Sequence, residues 1–146
     1  MTLEDNKARL KSAGELEREI SQSIQALYRS DLDHSLSRVT CQLFGRNIVI
    51  VLENSSTQPE KLLNGRGHAD LAKEVRDTVD KLLFPKIVEL IRTVLGVEVL
   101  DLVSDTSSKT EFTGIIAILS NVPDVRNPDV IPKTKAFNKR SSQTKR

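Results

Sequence analysis

The chain has 146 residues and a formal net charge of +2, and 38% of its residues are hydrophobic. This length suits about one domain, which buries enough surface to fold without a metal or a disulfide. No stretch approaches the roughly 18 consecutive apolar residues of a membrane-spanning helix. The single Cys41 has no partner for an intramolecular disulfide, and the first residues lack the apolar core of a secretion leader. We therefore expect a cytoplasmic protein, at most peripheral to the inner face of the membrane.

The first predicted elements are a helix and a β-hairpin. Ser12 and Glu15 have the S-x-x-E spacing of a capping box, so the helix should begin there. Its apolar stripe recurs at helical spacing: Leu16, Ile20, Ile24 and Leu27. Residues 31–35 end the helix, and alternating apolar and polar residues over 38–43 then indicate a half-buried strand. Gly45-Arg46-Asn47 provides a turn before a second strand, Ile48 to Leu52.

The second half of the chain repeats this plan with a longer helix. Its apolar stripe consists of Leu71, Val75, Val79, Leu82, Ile87, Leu90, Ile91 and Val94. Gly96 should end the helix in a left-handed conformation, and Pro85 should kink it near Leu82 without dividing it. Two strands follow, Val97 to Val103 and Phe112 to Leu119. The two aliphatic strands resemble each other in sequence, so an internal duplication is one explanation of the repeat.

The elements predict an α+β protein with αββαββ order. We expect a two-layer sandwich, in which two long helices cover one face of a four-stranded, mainly antiparallel sheet. The predicted domain spans residues 12–122, after a flexible N-terminus of residues 1–11. Residues 123–146 should form a basic tail, disordered from about Asn127 onward, because they contain little apolar surface to bury.

The two most aliphatic strands also predict a partner. Residues 48–52 and 115–119 are apolar at successive positions, so both faces of the sheet should be apolar. A homodimer through the sheet or its edge would cover the second face. Alternatively, overhanging helices or the connection from Ser55 to His68 would cover it within one monomer.

The residues themselves provide no catalytic, cofactor or metal motif. His34 and His68 are isolated and lack the spacing of zinc ligands, and Cys41 should lie in the core. The Asp31-Leu-Asp33 segment begins like a calcium loop but lacks the glycine and glutamate that such a loop requires. Asn64-Gly-Arg-Gly67 fits a turn better than a phosphate-binding loop. We therefore expect that the protein is not an enzyme.

The tail carries most of the positive charge. Within residues 125–146, seven basic side chains against one aspartate give +6, so residues 1–124 carry −4. These charges suit an anionic membrane or nucleic-acid phosphates, and a solvated tail without a ligand is the third alternative. Sequence-specific nucleic-acid recognition has little support, because the tail lacks interleaved aromatic residues and the chain lacks a basic folded face. The candidate contact residues in the tail are Lys133, Lys135, Lys139 and Arg140.

Four segments between Glu15 and Leu119 resemble the MpsC-like family of small bacterial proteins. They are Thr57-Gln-Pro-Glu60 with Leu63, Val75-Arg76, Leu95-Gly96-Val97, and Ser104-Asp105 with Thr110. One segment departs from the family: residues 30–35 stand where its members tend to have Gly-Arg-Gly-Pro. The basic, glycine-rich turn of the family is therefore absent from this chain.

The resemblance implies a link to a sodium-translocating, membrane-potential-generating system and to bicarbonate or inorganic-carbon uptake. The chain would be a cytosolic accessory, adaptor or regulatory protein that binds a membrane transport complex. Arg76, Asp105 and Thr110 are its candidate interaction residues; a structural ion pair or a strand-end cap is the alternative role. A nucleic-acid-associated regulator and a small-molecule sensor with a pocket at a dimer interface are the alternative functions.

Overall fold

A computed structural model describes residues 9–133 of the protein. Helix α1, Ala13–Leu32, begins at the predicted capping box: Glu15 N donates to Ser12 Oγ at 3.1 Å and Ser12 N donates to Glu15 Oε1 at 3.2 Å. The helix ends at Asp33, whose backbone is left-handed with φ of 49°. Both predicted ends of this helix are confirmed.

Two hairpins form one antiparallel sheet. Strands β1 (Arg38–Phe44) and β2 (Asn47–Glu53) are joined by a turn in which Gly45 has φ of 55°. Strands β3 (Val99–Thr106) and β4 (Thr113–Leu119) form the second hairpin. The strand order is β1-β2-β4-β3, so the two aliphatic strands pair in the middle of the sheet. This central position explains why they are apolar on both faces.

A short helix, α2 (Gln58–Gly65), lies between β2 and the long helix. Pro59 stands in its first turn, where the missing N–H of proline costs no hydrogen bond. The sequence analysis treated this stretch as a connection. The described elements therefore follow the order αββααββ, with one helix more than predicted.

Helix α3, Ala69–Leu95, runs without interruption through Pro85 and ends at Gly96, where φ is 69°. Its predicted apolar stripe is wrong at Leu71 and Leu82, which are 47% and 67% exposed, whereas Val79 packs partly buried against the core. The fully buried residues are Ala72, Arg76, Leu83, Ile87, Ile91 and Leu95. In the first half of the helix these are a small and a charged residue, which a search for large apolar side chains cannot detect.

The core lies between the helices and one face of the sheet. Alternate residues of the central strands are buried, for example Ile48 and Ile50 on β2 and Ile115 on β4, each with no exposed surface. They belong to one cluster with buried side chains of α1 and α3: Leu16, Ile20, Ile24, Tyr28, Leu83, Ile87, Ile91 and Leu95. The opposite face of the sheet carries the half-exposed apolar residues.

The segment after β4 packs onto this core. Val125 and Ile131 are 4% and 3% exposed, and residues 128–130 form a 3-10 turn. Gly45 N donates to the carbonyl of Pro132 at 2.7 Å. The packed domain thus reaches beyond the boundary expected at residue 122. The predictions for residues 1–8 and 134–146 lie outside the described residues.

Candidate functional site

A cavity of about 410 Å³ lies where α2, the first half of α3 and the end of β3 meet. Among the described residues, five acidic and two basic residues line it: Glu60, Asp70, Asp77, Asp80, Asp105, Lys73 and Arg76. Hydroxyl groups of Ser104, Thr106 and Ser108 face it from β3 and the following loop. The cavity is therefore polar and acidic.

Arg76 and Glu60 form a buried ion pair in the cavity wall. Arg76 Nε donates to Glu60 Oε1 at 2.7 Å and Arg76 Nη2 to Glu60 Oε2 at 2.8 Å, with side-chain exposures of 9% and 4%. The guanidinium also donates to the carbonyl oxygen of Ser55 at 2.6 Å and to Asp80 Oδ1 at 3.3 Å. This paired geometry fixes the orientation of the guanidinium as well as its position.

The local sequence explains why Glu60 is in place. Thr57 is the residue before α2, and its backbone N donates to Glu60 Oε2 at 2.8 Å. The hydroxyl of Thr57 donates to the same oxygen at 2.7 Å. These bonds belong to the capping pattern of a helix N-terminus, so the start of α2 holds the carboxylate that receives Arg76.

Burial and charge oppose each other in this network. Burial disfavours the charge of Arg76, but the hydrogen bonds that Arg76 donates to Glu60 and the charge of that carboxylate outweigh it, so the pKa of Arg76 is raised. Burial also raises the pKa of Asp80, and Arg76 offsets only part of that effect. The carboxylates of Glu60 and Asp80 share the guanidinium of Arg76. Asp80 is the less buried of the two, and Arg76 offsets less of the cost of burying its charge.

Tyr28 of α1 lies behind this network. Its hydroxyl is fully buried and has no hydrogen-bond partner among residues 9–133. Burial raises the pKa of Tyr28 to about 12, while the nearby charge of Arg76 acts in the opposite direction. Tyr28 therefore places a neutral, polar group next to the ion pair.

A chain of hydroxyl groups connects the sheet to the same site. Ser55 Oγ donates to the carbonyl of Glu111 at 3.0 Å and lies 2.7 Å from Thr113 Oγ1. Thr106 Oγ1 lies 2.6 Å from Thr113 Oγ1. Because each hydroxyl has one proton, Thr113 donates to Ser55 and Thr106 donates to Thr113. The chain holds the end of β2 against β3 and β4, next to the carbonyl that receives Arg76.

Cys41 and His34 each make a hydrogen bond within the fold. Cys41 is on β1, where burial raises the pKa of its thiol to about 11 and a hydrogen bond from Ser21 opposes the shift. His34 Nε2 lies 2.6 Å from the backbone oxygen of Asn54. Within the described part of the chain, no cluster of three or more His, Cys, Asp or Glu residues has the arrangement of a metal site.

Two of the candidate residues from the sequence analysis meet in the cavity. Arg76 and Asp105 both line it, although they are on different elements. Asp105 does not pair with Arg76; its Oδ1 accepts a hydrogen bond from Thr106 N at 2.9 Å. Thr110 lies in the β3–β4 loop, where its N donates to Ser107 Oγ, and it does not line the cavity.

The structure describes only one of the four candidate residues in the tail. Lys133 is exposed and is the last described residue. Lys135, Lys139 and Arg140 lie outside the described residues, so the predicted membrane or nucleic-acid contacts of the tail stay predictions.

The sequence analysis missed Glu60, Asp80 and Tyr28 as parts of this site. Two of them have signals that could have found them. Thr57 and Glu60 have the T-x-x-E spacing of a helix start, and Asp80 is four residues after Arg76 on the same helix. Tyr28 has no such signal, because its contact with Arg76 depends on how α1 packs.

Fold and site together define a small α+β protein with an acidic cavity built around a buried arginine ion pair. The chain belongs to the MpsC family: the family model described as "Na+-translocating membrane potential-generating system (MpsC)" matches residues 12–121. That range runs from the capping box of α1 to just beyond β4 and includes the whole cavity. The comparisons with curated proteins and with solved structures gave no match. None of the helices in residues 9–133 combines the length and apolar character needed to cross a membrane.

Proposed function

We propose that this chain is a non-enzymatic accessory protein, an adaptor or regulator, of the membrane system for which its family is named. It would act from the cytoplasmic side, at the inner face of the membrane, on a complex for ion or inorganic-carbon uptake. The family description supports the membrane system, and the absence of a spanning helix in the described chain suits a peripheral role.

The cavity is the observation that carries this proposal. Its one buried cation, Arg76, already donates to Glu60, Asp80 and Ser55 and serves to hold the wall in place. The carboxylates of Asp70 and Asp77 remain on the exposed part of the lining. A rigid, acidic recess of this kind suits the basic side chains of a partner protein, since complementary charge increases both association rate and specificity.

The other polar groups favour binding over catalysis. The hydroxyls of Ser55, Thr106 and Thr113 bond to one another and to a carbonyl, with no base beside them. Nucleophilic catalysis requires a base within hydrogen-bond reach of the nucleophile. Cys41, with its pKa of about 11, is a poor nucleophile at neutral pH.

Affinity purification from the native cell tests this function. The tagged full chain, isolated with the membrane fraction, should retain a membrane transport protein that mass spectrometry identifies. Replacing two exposed lining acids together, Asp70→Asn with Asp77→Asn, should reduce the recovery of that protein at least about tenfold.

The control removes the same charge elsewhere. Asp124 and Asp129 are exposed and outside the cavity lining, so Asp124→Asn with Asp129→Asn should leave recovery unchanged. The function is refuted if the wild-type chain retains no membrane protein. Equal recovery with both double variants would show that the cavity is not the binding site.

A small-molecule sensor is the second candidate, because the cavity has the size of a ligand site. Its volume of about 410 Å³ lies within the range of about 300–1,000 Å³ that is common for such sites. The cavity is formed within one chain and does not need a dimer interface. A screen of cationic and neutral metabolites by thermal shift would favour this candidate if a compound stabilises the wild type but not the Asp70→Asn, Asp77→Asn chain.

A further inference from the structure

The face of the sheet opposite the helices, called the outer face below, remains exposed in the described part of the chain. At its centre Val49 of β2 stands opposite Ile116 of β4, and Val103 of β3 stands opposite Ile116 on the other side. These side chains are 37%, 44% and 54% exposed, and Phe44 at one end of β1 is 39% exposed. The centre of the outer face is therefore a continuous apolar surface.

The size of the outer face suits a modest interface. Four strands about 4.8 Å apart and seven residues long, with a rise of about 3.4 Å per residue, give about 450 Å² in projection. The apolar centre occupies part of this area, and exposed apolar patches of a few hundred Å² are commonly functional. A standard interface buries about 800 Å² of accessible surface per partner, so a face of this size supports a weak dimer.

We propose that a second copy of this chain covers the outer face, with a two-fold axis parallel to the strands. This inference goes beyond the proposed function and does not depend on it. Two sheets packed face to face lie about 10 Å apart with their strands roughly aligned. The axis then puts β2 over the partner's β4 and β1 over the partner's β3, so Val49 packs on the partner's Ile116 in both halves of the interface.

The shape of the outer face fits this arrangement. Val51 and Gly114 are paired neighbours on β2 and β4, and both belong to the outer face. A Cβ atom added to Gly114 would meet nothing within 4 Å, so the glycine leaves a depression between its neighbours. The proposed axis places Val51 over the partner's Gly114, and each valine fills the depression of the other copy.

The charges select this axis over its alternative. Asp101 and Asp105 belong to the outer face along β3, at one edge of the sheet. An axis perpendicular to the strands would put β3 over the partner's β3 and bring four aspartates together, which costs binding energy. The proposed axis puts Asp105 over the partner's Thr40, whose hydroxyl can donate to it, and brings Arg38 to the same end.

Sedimentation of the full chain over about 1–500 µM tests the dimer, since a face of this size predicts a weak interface. The wild type should change from monomer to dimer within that range. Ile116→Lys on the outer face should weaken association at least about tenfold, because it buries a charge in an apolar interface. Leu82→Lys, at an exposed leucine on α3, should leave association unchanged.

Gly114→Val distinguishes an effect on the interface from an effect on the stability of the fold. In the monomer the new side chain meets open space and replaces glycine in a strand, so the melting temperature should stay the same or rise. In the dimer the new side chain occupies the place of the partner's Val51, so association should weaken at least about tenfold. Association as strong as that of the wild type, or stronger, would overturn the proposal.

A charge exchange tests the axis. Thr40→Asp should weaken the dimer because it faces the partner's Asp105, and adding Asp105→Lys should restore it. With the alternative axis, Asp105→Lys alone would strengthen the dimer, and that result would overturn the proposed orientation.

Two further outcomes overturn the proposal as a whole. One is a wild type that stays monomeric throughout the concentration range. The other is a monomeric full chain whose shortened form, residues 1–133, dimerises, because the chain's own residues 134–146 would then be the occupant of the outer face.

Discussion

The carboxylate of Glu60 serves two parts of the structure at once. It caps the start of α2 through Thr57 and neutralises Arg76 of α3, which is 16 residues away in the chain. Each of these bonds is short, and both side chains are almost completely buried. The position of α2 against α3 therefore depends on one ionised side chain.

Glu60→Gln should be among the most destabilising single changes in the protein. The amide keeps much of the shape but leaves the charge of Arg76 uncompensated, and breaking a buried pair in this way costs about 3–5 kcal/mol. Urea unfolding followed by circular dichroism measures the loss. Asp77→Asn on the exposed side of α3 is the control and should change the free energy of unfolding by less than about 0.5 kcal/mol. Equal effects of the two variants would refute the assigned role of Glu60.

Asp80 should make stability fall as pH rises. Burial raises its pKa in the folded state above the ordinary value of 3.8, so the folded protein binds this proton more tightly than the unfolded chain does. The free energy of unfolding then decreases between the unfolded and the folded pKa. Asp80→Asn removes this decrease, so the stability of the variant relative to wild type should be higher at pH 7 than near pH 4, by urea unfolding at each pH.

Asp31 provides a control of opposite sign for this measurement. A hydrogen bond from Lys86 lowers the pKa of Asp31, so its contribution to stability is present above the unfolded pKa and is lost as pH falls through the folded one. Asp31→Asn should therefore lose stability relative to wild type as pH rises from about 2 to about 5, most of it below the ordinary pKa of 3.8. The same direction for both variants would contradict the assigned environment of Asp80.

The thiol of Cys41 should react slowly in the native protein. With a pKa of about 11, about one thiol in a thousand is ionised at pH 8, against about one in ten for an ordinary cysteine. Alkylation by iodoacetamide at pH 8 should thus be at least about 100-fold slower in the native state than in urea. Mass spectrometry of quenched samples gives both rates, and similar rates would show that Cys41 is not buried as described.

At the scale of elements, α3 is the helix whose buried and exposed sides are hardest to distinguish in the sequence. Leu82 and Leu83 are adjacent, but the first is 67% exposed and the second 2% exposed. Leu83→Ala should cost about 2–5 kcal/mol because it leaves a cavity in the core. Leu82→Ala should cost less than about 1 kcal/mol by the same urea unfolding. The reverse order would support the stripe that the sequence predicted.

Local signals in the sequence were sufficient to predict where most elements begin or end. Ser12 and Glu15 mark the start of α1, and Gly45 and Gly96 mark a turn and a helix end through their own conformational preferences. These effects act within a few residues and do not depend on the rest of the fold. Both hairpins were predictable for the same reason.

Tertiary contacts determined what the sequence could not show. Arg76 lies on the buried side of α3 only because Glu60 receives it, and no pattern within the helix contains that partner. Resemblance to the family could select Arg76 and Asp105 as candidates. It could not show that both residues line one cavity. That cavity depends on α2, an eight-residue helix too short to show a clear period.

At the scale of the whole molecule, the segment after β4 closes the domain. Its backbone reaches both ends of the first helix-hairpin unit: Arg126 N donates to the carbonyl of Lys11, and Gly45 N donates to the carbonyl of Pro132. The side chain of Asn127 accepts a hydrogen bond from Ala13 N at 2.9 Å. The segment therefore connects the start of α1 to the β1–β2 turn.

Ile131 should contribute to stability as a core residue does, although it lies far beyond the last strand. It is 3% exposed, whereas its neighbour Val130 is 58% exposed. Ile131→Ala should lower the free energy of unfolding by about 2–5 kcal/mol, and Val130→Ala by less than about 1 kcal/mol. Urea unfolding of both variants in the full chain provides the comparison. Equal small effects would mean that the domain ends before this segment, because a side chain that contributes nothing when truncated is not part of the core.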